Sequence, residues 1–485
     1  MVDFRPISFV IGILLATLGV ALIIPTLIDL GAGNSNWLGF AAASLVTLFF
    51  GVGLGFSQYV PNPELSIKQA FLLTTLAWLA LTAFSALPFV WSDMNMSYSD
   101  AFFEAMSGLT TTGATVITGL DERSPGILLW RSLLQWLGGI GIIVMALAVM
   151  PMLQIGGMQL FRTESSDNSE KIVPRAAQLA SSITSLYVTL TLLCVVGYLL
   201  AGMSLFDAIA HSMTTIATGG LSTHDASLGF FKGDAVKYVA IVFMILGSLP
   251  FGLYLYAVNG RVDRLFKDSQ VHWFFITLSV FIFLTWISQF GNGEVSDNLW
   301  ANQLRDAAFH SVSIMTGTGY ATGDYGQWST FAEVLFFIMM FVGGCAGSAS
   351  CGIKIFRLQV LFQTIKQRTF SLIQPNGIYI PRYSGRPIEE RVSTAVLSFI
   401  FLFLFCFAVL TFLLTLYDLD LMTSISAAAS SLTNVGPGLG DIVGPSGNFQ
   451  SLPDGAKWLL AAGMLLGRLE LFTVLVLFIP TFWRS

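Results

Sequence analysis

Four short stretches of this 485-residue chain carry the same arrangement of residues. They read DAFFEAMSGLTTTGAT from Asp100, DAIAHSMTTIATGGLS from Asp207, DAAFHSVSIMTGTGYA from Asp306 and TSISAAASSLTNVGPG from Thr423. Aligned without gaps, they place Gly113, Gly220, Gly319 and Gly436 at one common position. An acid opens three of the four, and Glu104, His211, His310 and Ala427 follow four residues later. The residues just before and at the glycine form four turns: Thr111, Thr112 and Gly113; Thr218, Gly219 and Gly220; Gly317, Thr318 and Gly319; Asn434, Val435 and Gly436. In the second turn the common offset selects Gly220 over Gly219. An ion crossing a membrane must exchange its water for other oxygens, and rings of backbone carbonyls supply them. Glycine suits such a loop because it accepts backbone angles that other residues resist. The short helix before each turn presents the partly negative C-terminal end of its dipole to a cation. No ring of acids occurs at the glycine positions, which favours carbonyl coordination of a weakly hydrated monovalent cation such as potassium over calcium. Close packing of helices through small residues is the competing reading of the glycines.

Other residues in these stretches have plainer roles. Asp100, Asp207 and Asp306 are expected to cap the short helices, and Glu104, His211 and His310 to hydrogen-bond within the bundle. Two further features stand apart from the turns. Arg468 lies in the middle of the apolar run KWLLAAGMLLGRLELFTVLVLFIP, where a charge faces a cavity or a partner. It is read as facing the pore below the turns, the alternative being a buried ion pair with Glu470 of a neighbouring subunit or with another helix; Glu470 of the same helix, two residues on, points to another face. The segment GGCAGSASCG at 343–352 interrupts another apolar run. Its Gly343, Gly344, Gly347, Ser348 and Gly352 suit a flexible, non-helical plug, with a simple helix kink as the alternative.

These features need a membrane around them. The chain is 54% hydrophobic and only 11% charged, with a mean hydropathy of +0.74, whereas a soluble domain carries about 25% charged residues. A spanning helix needs about 20 apolar residues. The runs at roughly 7–29, 37–59, 70–92, 126–154, 178–201, 235–258, 271–290, 329–366, 392–416 and 457–481 meet that length. The four glycine stretches lie between such runs and are too short to cross, as expected of segments that enter and leave on one side. The fold class is therefore all-α integral membrane, with ten transmembrane helices and four re-entrant pore helices. Four units of span, short helix, loop and span stand in pseudo-fourfold arrangement. The expected divisions are 1–66 for two additional helices, then 67–155, 156–260, 261–370 and 371–485 for the repeats.

Placing the N-terminus in the cytoplasm collects Arg162, Lys171, Arg175, Arg261, Arg264, Lys267 and the basic run from Lys354 to Arg391 on the inner side. Acids such as Asp121, Asp225, Glu294, Asp324 and Asp441 then lie outside. Cys194, Cys345, Cys351 and Cys406 show no metal-ligand or disulfide spacing. Hydrolase, metalloprotease and Walker motifs are lacking, so an enzyme is not expected. Nor is a covalently bound cofactor, a nucleic-acid partner, or any metal beyond potassium held by the turns. A symporter coupling potassium to protons or sodium is the alternative to a channel-like pore, with His211, His310 and Glu104 as its candidate titrating groups.

TTTGAT at 110–115, GGCAGS at 343–348, NVGPGLG at 434–440, GRLE at 467–470 and PTFWRS at 480–485 resemble the superfamily of potassium transporters that includes the TrkH, KtrB and plant HKT families. With its two additional N-terminal spans the chain is most similar to the TrkH branch. The resemblance covers essentially the whole chain. It implies potassium uptake across the bacterial inner membrane, a homodimer, and a cytoplasmic TrkA-like ring with nucleotide-binding domains. It also implies a filter lined by the four glycine turns and gating by the 343–352 loop with Arg468. The chain departs from the pattern at SASCG, 348–352, where relatives more often carry a Ser-Thr-Gly-Gly type sequence. It departs again at Tyr320, where phenylalanine is more usual, and in a fourth turn with Asn434 and Pro437 that makes the ring only approximately symmetric.

Overall fold

A computed structural model describes residues 3–61, 65–146, 172–289 and 299–484. Arg162, Lys171 and Glu294, and the end of the run expected at 126–154, lie outside these residues. Among the described residues the regular structure is helical apart from a two-stranded hairpin pairing Arg382–Tyr383 with Arg386–Pro387 and an isolated bridge between Val342 and Ile353. Among the described residues seven helices are long and apolar enough to cross a membrane: Arg5–Gly31, Trp37–Ser57, Ile67–Val90, Pro125–Val144, Ala180–Leu200, Ser269–Ile287 and Glu390–Thr415. Many of their apolar side chains point outward, Phe49, Phe56 and Phe401 among them. Such faces suit contact with lipid or with another protein surface.

The first two helices pack on one another through glycines. A side chain on Gly12 or Gly51 would collide with the facing backbone, so the helices meet at a distance only glycine permits. Buried Asp29 fastens this pair to the rest. It accepts hydrogen bonds from the Gly126 amide at 2.7 Å and from the Ser124 hydroxyl at 3.0 Å. Those groups begin helix Pro125–Val144, so the carboxylate satisfies amides that a helix start leaves unpaired.

Two apolar runs expected to cross as single helices are sharply bent. Helices Asp234–Ser248 and Phe251–Val258 meet at 96°. Pro250 sits at the break and Leu249 before it is extended, as the residue preceding a proline prefers. Asp454–Arg468 and Phe472–Phe478 meet at 107°. There Glu470 and Leu471 turn the chain with φ of 62° and 44°, an unusual conformation for side-chain-bearing residues. The run at 329–366 is also divided, into helices Thr330–Phe341 and Ile355–Ile373 with a non-helical loop between. Sequence reasoning anticipated only this last interruption.

Between the long helices lie four short ones: Tyr98–Leu109, Leu205–Ile216, Leu299–Met315 and Leu421–Thr433. The first is buried without interruption from Ala101 to Leu109 and the last from Ser426 to Thr433. The third is described from Leu299, ahead of Asp306. Each runs into one of the glycine turns.

Candidate functional site: the ring of glycine turns

The short helices are capped differently from expectation. Ser97 and Ser204 are the N-caps, each accepting from the amide of the aspartate three residues on, Asp100 or Asp207, at 3.1 Å. The aspartates return the contact by accepting from the serine hydroxyls. They therefore occupy the third helical position, where a carboxylate still meets the positive end of the dipole. In the fourth helix Asp420 is itself the cap, accepting from the Thr423 amide at 3.0 Å. Hydrogen bonds from Thr423 hold that carboxyl below its ordinary pKa. Asp306 lies inside its longer helix and pairs with Arg305 and Lys237.

At the other end the four helices stop in the same way. The amides of Thr112, Gly219, Thr318 and Val435 donate to the carbonyls of Ser107, Thr214, Ser313 and Ser430 at 2.8–3.1 Å. The residue before each donor is left-handed: Thr111 at φ 51°, Thr218 at 51°, Gly317 at 75° and Asn434 at 54°. This is the Schellman stop, which turns the chain sharply off the helix axis. Two residues later Gly113, Gly220, Gly319 and Gly436 are left-handed again, at φ 90°, 71°, 79° and 104°. Gly219 is not among the left-handed residues, in keeping with Gly220 as the equivalent glycine.

The four glycines close a ring. A Cβ on Gly113 would lie 2.2 Å from the Gly219 carbonyl oxygen, and one on Gly220 would lie 1.8 Å from that of Thr318. One on Gly319 would meet the Val435 oxygen at 2.1 Å, and one on Gly436 the Thr112 oxygen at 2.7 Å. Each glycine thus abuts the middle residue of the next turn, in the cyclic order one, two, three, four and back to one. All twelve turn residues named from sequence converge here. On one side of the ring opens a cavity of about 230 Å³ that includes all four glycines, Asp225, His224 and Arg131 in its walls.

The residues four positions after the opening acid fasten the chain leaving each turn. Glu104 accepts from the Val116 amide at 2.9 Å and from the Thr115 hydroxyl at 3.0 Å. His211 donates from Nδ1 to the Asp207 carbonyl at 2.8 Å, which leaves Nε2 to accept from the Ser222 hydroxyl at 2.9 Å. His310 repeats this, with Nδ1 on the Asp306 carbonyl and Nε2 accepting from the Thr322 amide at 3.3 Å. Ala427 cannot, and in the fourth repeat the neighbouring Ser426 donates to the Leu439 carbonyl at 2.9 Å instead. The expectation of bonds within the bundle therefore holds for all three polar residues.

Sequence reasoning missed several supporting side chains. Arg131, buried in helix Pro125–Val144, binds Glu104 at 2.7 Å and the Ser222 carbonyl at 2.7 Å, joining the first and second repeats. Lys457 bonds Asp100, and Lys237 reaches Asp306 at 3.3 Å. Both lysines stand three residues after an aspartate, in DAVK from Asp234 and DGAK from Asp454, and this repeated pattern was available in the sequence. The Tyr320 hydroxyl lies 2.5 Å from Thr214 Oγ1 and 3.2 Å from Thr215 Oγ1, tying the third turn to the second short helix.

Beneath the ring lies the loop Val342–Lys354. It is neither a kinked helix nor a loose plug. The Gly343 amide donates to the Ile353 carbonyl and the Ile353 amide to the Phe341 carbonyl, both at 3.0 Å, so the loop closes on itself. Amides of Cys345 and Ala349 donate to the carbonyls of Ser248 and Gly247 at 3.1 Å. The Phe251 amide donates to the Gly347 carbonyl at 3.0 Å. These are the groups freed by the bend at Pro250. Gly347 and Gly352 are left-handed, at φ 75° and 73°. Gly344 donates to Ser350 Oγ at 2.9 Å, and Ser348 donates to the Cys345 carbonyl at 2.6 Å. Cys351 reaches up to the ring, with Sγ 3.8 Å from Thr111 Oγ1.

Arg468 meets this loop from the fourth repeat. Its Nη1 donates to the Ala349 carbonyl at 3.2 Å and to Cys351 Sγ. Its Nε and Nη2 have no hydrogen-bond partner among the described residues. Within the chain Glu470 does not pair with Arg468, because the break after Arg468 turns it toward Arg357. Arg468, Lys354, Cys351, Gly347, Ser348, Gly352 and Asn434 all border a second cavity of only about 30 Å³. Loop and guanidinium together thus fill most of the space below the ring.

Comparison with known proteins identifies the family. The family model TrkH, described as a cation transport protein, matches residues 38–485. The chain is 40% identical over 483 residues to the Trk system potassium uptake protein TrkI of Halomonas elongata, covering 99% of this chain and 97% of that one. It is 38% identical to the Trk system potassium uptake protein TrkH of Escherichia coli K12, over 99% of this chain and 100% of that one. The crystal structure of the potassium transporter TrkH from Vibrio parahaemolyticus superposes with a TM-score of 0.92 at 36% identity, over the full length of both chains. The chain belongs to the TrkH family of cation transport proteins.

Proposed function

We propose that this chain takes up potassium across the bacterial inner membrane through a channel-like pore whose filter is the ring of glycine turns. The observation that carries this reading is the cyclic contact of each left-handed glycine with the carbonyl of the next turn. Four turns placed in this way offer a dehydrated cation a ring of backbone oxygens, and the ends of four helix dipoles favour its positive charge. Thr111, Thr112 and Gly113, Thr218, Gly219 and Gly220, Gly317, Thr318 and Gly319, and Asn434, Val435 and Gly436 are the residues assigned to it. The short helices are re-entrant, and ten segments cross the membrane, counting each broken run as one. The four repeats occupy 67–155, 156–260, 261–370 and 371–485, behind two additional helices in 1–66.

Gly343, Gly344, Gly347, Ser348, Gly352 and Arg468 form the gate. The loop blocks the path by volume, and the guanidinium raises the barrier to a cation by repulsion in a poorly solvated space. Glu104, His211 and His310 are occupied in holding the filter loops, which supports passive permeation over coupled symport. The N-terminus is cytoplasmic. The chain works as a homodimer with a TrkA-like nucleotide-binding ring on the basic cytoplasmic side. Ion flux into reconstituted vesicles tests the central part: potassium and rubidium enter in preference to sodium and lithium, and Gly113→Ser or Gly319→Ser removes the preference. Equal flux of all four ions in the wild type would sink the filter reading.

A further inference from the structure

The second strand of the ring lacks the support that the others have. In the first repeat Thr112 Oγ1 lies 2.7 Å from Thr110 Oγ1, and in the third Thr318 Oγ1 lies 2.8 Å from Thr316 Oγ1. In the fourth, Val435 is buried against apolar neighbours, and Asn434 Nδ2 donates to Thr112 Oγ1 and the Met464 carbonyl at 2.9 Å. The second repeat carries Ala217 and Gly219 at the positions of the threonine pair. No left-handed backbone requires the glycine at 219.

Gln135 occupies the missing volume. A Cβ on Gly219 would lie 2.4 Å from its Cδ, 2.5 Å from its Nε2 and 2.6 Å from its Oε1. Gln135 is fully buried and comes from helix Pro125–Val144 of the first repeat. Its Nε2 donates to the Gly219 carbonyl at 2.7 Å, and its Oε1 accepts from the Leu221 amide at 3.1 Å. One carboxamide therefore grips the chain on both sides of Gly220. Small residues let its helix come this close. A Cβ on Gly138 would lie 1.8 Å from the Leu109 carbonyl oxygen, and one on Gly139 would lie 3.1 Å from Ala217 Cβ.

We propose that Gln135 is a specificity-determining positioning residue, which replaces from the neighbouring repeat the side chain that Gly219 lacks and fixes the second filter strand. The proposal rests on the filter reading above. A Gly-Gly strand has more conformational freedom than any other pair. Left loose, it could close around a smaller cation and weaken discrimination. A strand held at its full width favours the larger, weakly hydrated ion.

The test compares potassium and sodium flux in vesicles for the wild type, Gln135→Met, Gly219→Thr and the double variant Gln135→Ala with Gly219→Thr. Methionine keeps the length and volume of glutamine and removes both hydrogen bonds. In Gln135→Met the potassium-to-sodium ratio should fall about threefold to tenfold, the net worth of a single one of the two hydrogen bonds it loses. Gly219→Thr alone should lose flux, because the new side chain meets Gln135. The double variant should recover flux relative to Gly219→Thr, since the threonine side chain then takes the volume that the carboxamide leaves. If Gln135→Met does not fold, Gln135→Leu also removes both donor and acceptor and should lower the ratio likewise. A wild-type ratio in Gln135→Met or Gln135→Leu overturns the role of Gln135 and leaves the filter reading standing. A double variant no better than Gly219→Thr overturns it too. A wild-type protein without potassium preference overturns the filter reading and this proposal together.

Discussion

At the level of the glycine ring the four repeats differ little. Each short helix ends in a left-handed residue, and each ring glycine is left-handed two positions on. Below the ring the four inner helices part company. The first runs from Pro125 to Val144 without a break, and the second bends by 96° at Pro250. The third gives way to the loop Val342–Lys354, and the fourth bends by 107° after Arg468. Coordinating an ion from all sides demands equivalent strands, so any repeat that drifted would spoil the ring. Obstructing a path needs only one element, and the others must yield space to it. The bend at Pro250 frees the carbonyls of Gly247 and Ser248, and the third-repeat loop takes them up. The asymmetry is therefore cooperative, with one repeat broken to hold the break in another.

The largest effect should come from spoiling the equivalence of the ring. Gly220→Ala places a Cβ 1.8 Å from the Thr318 oxygen at a φ of 71°, and should abolish potassium flux in a protein that still inserts. Gly141→Ala is the control, because nothing lies within 4 Å of its added Cβ; flux should be unchanged. Next is the tie between the first two repeats. Arg131→Met leaves Glu104 buried without its ion pair and should cost about 3–5 kcal/mol, read as a lower melting temperature in detergent. Combining it with Glu104→Leu should recover part of that loss.

The asymmetric half answers to different changes. Arg468→Ala removes the charge and the contacts with Ala349 and Cys351, and should raise cation flux severalfold while the potassium-to-sodium ratio stays constant. Unchanged flux would remove Arg468 from the gate. Deleting 345–351 should raise flux further and weaken dependence on a cytoplasmic regulator. The smallest effect should come from Lys237→Met. Its partner Asp306 is partly exposed and keeps Arg305, so the loss should be about 0.2–1 kcal/mol of stability.

The two halves were also unequally legible in the sequence. The ring could be read because glycine accepts left-handed backbone most readily, and four glycines recur at one position of the aligned stretches; the left-handed Thr111, Thr218 and Asn434 left no such trace. The third-repeat loop was visible for the same reason, through Gly347 and Gly352. Pro250 was a readable signal too, although the apolar run 235–258 around it looked continuous. The fourth bend left no trace, because Glu470 and Leu471 adopt left-handed angles without glycine. That turn decides the fate of Arg468, whose neighbour Glu470 is swung to Arg357. Arg131 and Gln135 were visible as polar residues in an apolar helix, a standard sign of buried function. Their partners lie in other repeats, and only the folded arrangement identifies them.

The most direct test is the potassium, rubidium, sodium and lithium flux of reconstituted wild-type protein, set beside that of Gly113→Ser and Gly319→Ser. The ring of glycine turns requires potassium and rubidium to pass well ahead of sodium and lithium, and the preference to collapse in both variants. Variants that fold, conduct and keep the wild-type order of ions would place selectivity somewhere other than these four turns.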